Sequence, residues 1–173
     1  DSGKNMLIYK LLKENMDDLH YFNKISKKQG FIGVVSKTIT EFKKYNIAEE
    51  TLINKKEELN EGELRDKIED LSFIYHEFND NLHKNYIDSE DVLSLLAEKL
   101  KESHMYRDAE IWIDEFTTFT PQQMEIIKIL GKRCKRVNIT LCSEGKNEEE
   151  TDIFDAIKNT EYKLLKLMEE NNI

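Results

Sequence analysis

Apolar side chains recur every three to four residues through the first hundred positions, the period of an amphipathic helix. Residues 5–14 carry Met6, Leu7, Tyr9, Leu11 and Leu12 at that spacing. Residues 17–28 open with acids and close with lysines, an order that suits the helix dipole, and Gly30 is placed to end that helix. Phe31, Val34, Val35, Ile39 and Phe42 fall close to one face of a helix over 31–46. A short helix is expected over 49–59. A long one is expected over 61–84, with Leu64, Ile68, Leu71, Ile74, Tyr75 and Phe78 as its stripe. Residues 86–103 read as another, with Asp88 as N-cap and Val92, Leu93, Leu95, Leu96 and Leu100 as core face. Residues 5–103 are therefore expected to be antiparallel helices joined by short links.

The period then changes. Residues 109–113 form a short apolar strand, 121–131 a helix and 136–141 a second strand. Strand, helix and strand in that order predict a βαβ unit and a parallel sheet. Residues 144–152 read as an acidic loop and 160–170 as one more amphipathic helix. The expected fold class is mainly α with a small α/β part: a helical subdomain over 1–105 and a partial α/β domain over 106–173. Two strands alone make a poor sheet, so further strands are expected from sequence outside these residues. The chain begins at Asp1, with Met6 its first methionine, which we read as the mark of a piece of a longer polypeptide.

Composition narrows the function classes. With 39% hydrophobic residues in 173, the chain can build a core, and disorder is not the expectation. One proline and six glycines favour long helices over turns. A net charge of −9 argues against a free-standing nucleic-acid binder, whose affinity comes from phosphate neutralisation, unless a local basic face or a partner supplies the charge. Cys134 and Cys142 form no CxxC or Cys/His pair and fit a reducing, cytoplasmic setting. No signal peptide and no membrane-spanning apolar run is present, so no membrane partner is expected. His20, His76, His83 and His104 lack metal-ligand spacing.

The stretch IWIDEFTTFTPQQ, 111–123, carries the chemistry. An apolar run ending in Asp114-Glu115 reads like the second acidic motif of P-loop NTPases. There, an Asp at a strand's end holds Mg²⁺ and a following Glu acts on the attacking water. The bland alternative is a strand leaving the core into an acidic turn, with Asp114 hydrogen-bonded to loop amides. Thr120, Pro121 and Gln123 make a helix start with a capping box. Gly3-Lys4 lies in no GxxxxGK[ST] pattern, so no phosphate loop accompanies the acidic pair. Lys132, Arg133, Lys135 and Arg136 form a basic patch. It reads either as a solvated helix end that complements the dipole or as a DNA-phosphate contact.

Two stretches, YIDSEDVLSLLAEKL and AEIWIDEFTTFTPQQMEIIKIL, resemble the B subunit of bacterial AddAB-type ATP-dependent helicase/deoxyribonucleases, also called RexB. The start, GKNMLIYKLLKE to ITEFKKYNI, and the tail, DIFDAIKNTEYKLLKLMEENNI, are similar to that family too. The likeness thus covers nearly the whole chain. Asp114, Phe116, Phe119, Thr120 and Pro121 are its most specific part. The resemblance implies a helical insertion, residues 1 to about 105, that returns into a RecA-like domain near residue 108. It implies a phosphate loop upstream and a nuclease domain with iron–sulfur cysteines downstream. ATP and Mg²⁺ are the implied cofactors of the intact protein, with none bound tightly by these residues alone. The implied partners are an A subunit that carries the motor, in a heterodimer, and double-stranded DNA ends. Such complexes act in recombination and break repair, and their B subunit recognises the regulatory sequence Chi. Asp114 would hold nucleotide-bound Mg²⁺, Glu115 would be the catalytic-type neighbour, and Gln123 aligns with a glutamine that motor relatives keep.

Three departures qualify this. Motor relatives have Asp-Glu-x-Gln-Asp here, whereas Thr117 and Thr118 follow Phe116. The sequence LCSEGKNEEE after the second strand lacks their Gly-Asp-x-x-Gln. Many B subunits place glycine where this chain has Glu115. The resemblance therefore implies a non-motor subunit. The alternative is a non-catalytic helical interaction module. The two differ on whether Asp114 leaves a strand that pairs in parallel with the second.

Overall fold

The computed structural model describes residues 2–26, 28–83, 88–142 and 155–173. Contacts divide the chain into two compact units, Asp1–Asp91 and Val92–Ile173.

The first unit is helical: α1 (Ser2–Glu14), α2 (Gln29–Lys44), α3 (Glu49–Glu58) and α4 (Glu63–His83), with 3₁₀ turns at Met16–Asp18 and Ser89–Asp91. Helix α4 packs on α3 and α1, and α1 on α2. The core gathers Ile8, Leu11, Leu12, Val35, Ile39, Ile74, Tyr75 and Phe78. On α1 the expected face is rotated. Ile8 is fully buried, while Met6 and Tyr9 are 73% and 48% exposed. Val34 and Leu64 are likewise exposed.

Among the described residues of 17–28 the expected helix is absent. Past Met16–Asp18 the chain turns without a helix, and Gly30, expected to end a helix, lies in the first turn of α2. The cause is Asp70, 1% exposed in α4. Its Oδ1 accepts the His20 N–H at 2.9 Å, and its Oδ2 accepts those of Tyr21 and Phe22 at 2.9 and 2.8 Å. Amides held by a distant carboxylate cannot serve a local helical ladder.

The 88–91 turn is tied down by charge. Lys43, 6% exposed, donates to Asp91 at 2.6 Å and pairs with Asp88 at 3.2 Å. Lys4 pairs with Asp88 at 3.3 Å and donates to Thr40 at 2.9 Å. Asp88, expected as the N-cap of a helix over 86–103, accepts the Glu90 N–H on Oδ1 at 3.4 Å ahead of the 3₁₀ turn, while its Oδ2 takes the two lysines. The helix itself begins only at Val92, and residues 84–87 lie outside the described ones.

The second unit contains α5 (Val92–Glu102), β1 (Glu110–Ile113), α6 (Pro121–Arg133), β2 (Arg136–Ile139) and α7 (Asp155–Asn171). Strands β1 and β2 pair in parallel, with Glu110 opposite Arg136 and Ile113 opposite Ile139. The βαβ unit expected from the period change is thus present. Its core joins Ala97 and Leu100 of α5 to Ile129 and Leu130 of α6, with Ile111 and Val137 packed against them. Side chains alternate along a strand, so Trp112 points the other way and is 71% exposed. On α5 the expected core face is only partly buried. Leu100 is inside, but Val92, Leu95 and Leu96 are 52%, 38% and 41% exposed. Ser94 faces α6 instead, accepting from the Gln122 amide at 3.0 Å. Helix α5, expected within the helical subdomain, packs on α6. The acidic loop expected over 144–152 lies outside the described residues. No helix is long and apolar enough to cross a membrane among the described residues.

Candidate functional site at the end of the parallel strands

Ile113 is the last residue of β1, so Asp114 emerges at the C-terminal end of a strand in a parallel pair. Thr140 emerges beside it, just past β2, and its N–H donates to the Ile113 carbonyl at 3.0 Å. The Asp114 carboxylate accepts twice on one oxygen. Oδ1 receives the Thr140 hydroxyl, and the Glu115 N–H at 2.9 Å. Among the described residues no bond falls on Oδ2. The Thr140 hydroxyl, and after it the Glu115 amide, hold this exposed carboxyl below the ordinary carboxylate range.

Glu115 takes a left-handed backbone, φ 63°. Among the described residues the other non-glycine positions with positive φ are Asn46 and Asn172, a type that tolerates the region, whereas a glutamate there is strained. Glycine takes that conformation without a Cβ penalty. We expect Glu115→Gly to raise the stability of the second unit by about 1 kcal/mol, read as a higher urea midpoint at unchanged slope.

The loop beyond is pinned. Phe116 and Phe119 stack with centroids 5.0 Å apart. The Thr117 carbonyl accepts the hydroxyl of Thr160, a buried residue of α7, at 2.9 Å. The helix start expected at Thr120 is present. Thr120 Oγ1 accepts the Gln123 N–H at 3.3 Å, and Gln123 Oε1 accepts the Thr120 N–H at 2.8 Å. Gln123, a candidate nucleotide-binding residue by sequence, thus spends its amide oxygen on the cap, and none of these bonds joins it to Asp114.

The basic patch is mostly engaged. Lys132 donates to Asn171 at 2.8 Å, Arg133 to the Ser103 carbonyl at 3.0 Å and Lys135 to Glu110 at 2.7 Å. Arg136 is exposed with no side-chain partner among the described residues. Lys4 of the Gly3-Lys4 pair lies in α1 and is bound to Asp88. Cys134 and Cys142 are free, and burial pushes the Cys134 thiol up. Among the described residues no three His, Cys, Asp or Glu side chains gather as a metal shell. Thr140, Thr160, Ser94 and Gln122 escape sequence reasoning. The strand expected over 136–141 ends at Ile139, and this earlier end is what places Thr140 at the site.

The architecture is that of a mainly helical protein with a small parallel α/β unit bearing an acidic pair at its strand end. The family model described as "ADDB, N-terminal" matches residues 1–173. The B subunit of an ATP-dependent helicase/deoxyribonuclease from Clostridium botulinum (strain Loch Maree / Type A3) is 48% identical over the whole chain. Proteins of the same name from Clostridium perfringens (strain ATCC 13124) and Clostridium kluyveri are 47% and 45% identical, again over the whole chain. The chain belongs to the AddB N-terminal family. It spans about 15% of the length of these relatives.

Proposed function

We propose that these residues are part of the B subunit of an ATP-dependent helicase–nuclease that processes DNA double-strand breaks for homologous recombination, and that they carry the acidic half of a nucleotide site. The supporting observation is the parallel pairing of β1 with β2, which delivers Asp114 to the carboxyl edge of the strands. Open α/β sheets bind ligands at that edge. Asp114 keeps one oxygen engaged and, among the described residues, the other without a hydrogen bond, which suits Mg²⁺. That ion takes one or two carboxylates and fills the remaining positions with phosphates and water. When bound, it supplies charge neutralisation at the nucleotide phosphates.

The chain's own residues hold and orient that carboxylate, and Glu115 places a second one next to it. A GxxxxGK[ST] cradle is absent from the 173 residues. On this reading they do not hydrolyse ATP alone, and the loop comes from sequence outside them. The same proposal includes a helical insertion over 1–105 and a RecA-like part over 106–173. It also includes an A subunit as heterodimer partner, double-stranded DNA ends as substrate, and a cytoplasmic location. Of the basic patch, Arg136 is best placed for a DNA phosphate. Gln123 serves the loop by capping α6.

The interaction-module reading draws on one observation: the two hydrogen bonds on Asp114 are also what a plain structural turn makes. ATP binding by the full-length protein separates the two. Asp114→Ala is expected to remove the Mg²⁺-dependent part of the affinity, a loss of about tenfold or more, since even outer partners of a metal ligand are worth that much.

A further inference from the structure

Asp114 has a single side-chain partner among the described residues, and it comes from the neighbouring strand. The Thr140 N–H bond to Ile113 extends the parallel ladder one residue past β2. The sheet, rather than a free loop, therefore fixes where the Thr140 hydroxyl stands. That hydroxyl donates to Asp114 Oδ1, and the Glu115 N–H donates to the same oxygen at 2.9 Å. One donor leaves a carboxylate free to turn, because its terminal torsion has a broad well. Two donors, one from the adjoining backbone and one from the end of β2, restrict both the rotamer and the carboxylate plane.

Resting on the nucleotide reading above, we propose that Thr140 is the positioning residue of this site: its hydroxyl locks Asp114 so that Oδ1 is satisfied within the protein and Oδ2 faces outward to a divalent cation. Thr140→Val keeps the β-branched shape and removes only the donor. Thr140→Ser keeps the donor and removes only a methyl group.

The test uses the 173-residue chain with carbon-13-labelled aspartate. Three-bond couplings report the Asp114 χ1 rotamer, and the carboxyl signal is followed through an acid titration. Wild type is expected to show one rotamer. Thr140→Val should average the couplings and move the titration upward, while Thr140→Ser should restore both. If Thr140→Val loses the wild-type amide spectrum, Thr140→Ala carries the same expectation. Couplings already averaged in wild type, or unchanged couplings and titration on loss of the hydroxyl, overturn the proposal. In the full-length protein Thr140→Val should weaken Mg²⁺-dependent ATP binding several-fold. If Asp114→Ala removes that binding and Thr140→Val does not, positioning by Thr140 fails while the nucleotide reading stands. If Asp114→Ala leaves it intact, the nucleotide reading fails, and the cation role assigned through Thr140 falls with it, whatever the couplings show.

Discussion

Asp70→Ala should unfold the first unit or bring it to the edge of unfolding. The carboxylate accepts three backbone N–H groups, from His20, Tyr21 and Phe22, at a side chain only 1% exposed. Removing it takes the acceptor from three part-buried N–H groups, each worth up to about 1–3 kcal/mol where water does not replace the carboxylate. Their sum approaches the whole stability of a small domain, about 5–15 kcal/mol. Asp70→Asn tests the same account more gently. Its single carbonyl oxygen cannot replace two acceptor oxygens, and its NH₂ group must face at least one amide. We expect a loss of about 2 kcal/mol for Asn and a much larger one for Ala, measured by urea denaturation. An Asp70→Asn variant as stable as wild type would show that the 19–22 turn does not depend on this carboxylate.

Lys43→Ala should cost about 3 kcal/mol or more, the usual result of stripping one member from a buried ion pair. The Lys43 side chain is 4% exposed, and its loss leaves both Asp88 and Asp91 without their nearest cation. Asp88→Ala should cost less. Lys43 then keeps Asp91, and Lys4 keeps Thr40.

The same cluster gives the first unit an acid limit. Burial pushes the Asp88 carboxyl up, but the Lys43 and Lys4 ammonium groups outweigh it, so the folded-state pKa lies below the ordinary value. A depressed carboxylate contributes stability that is full above its unfolded pKa and is lost as pH falls through the folded one. Stability should therefore decline below about pH 4, and the decline should flatten in Lys43→Ala. At the other end, the Glu49 hydrogen bond raises the His76 pKa. That link contributes below the ordinary histidine value and fades as pH rises through the shifted one.

These residues also show where sequence reading stops. The helices over 31–46, 49–59 and 61–84 and the βαβ unit are legible because period and caps are local properties. The 17–28 segment misleads because its fate is decided by a carboxylate some fifty positions away. Acids first and lysines last describe a good helix, and nothing local shows its amides being captured by Asp70. The α5 face misleads because leucines outweigh small residues in any hydrophobic pattern. Of the expected leucines Leu100 does meet α6, but beside it stand Ala97 and Ser94, with Leu95 and Leu96 left outside.

At the site, the acidic pair and the Thr120 cap are readable from residue type and order. The left-handed Glu115 is not, because glutamate carries no turn signal. Thr140 is not either. Its role comes from register, since the parallel pairing is what sets the two strand ends side by side.

On the proposed reading, Asp114 is a cation ligand of a nucleotide site completed by sequence outside these residues. The measurement that bears on it most directly is the ATP affinity of the full-length protein as a function of Mg²⁺, for wild type and Asp114→Ala. We predict that Mg²⁺ strengthens ATP binding in wild type and has little effect on Asp114→Ala, with the metal-free affinities alike. Equal Mg²⁺ dependence in the two proteins would contradict that role and leave "IDEF" as the turn that joins a strand to a helix.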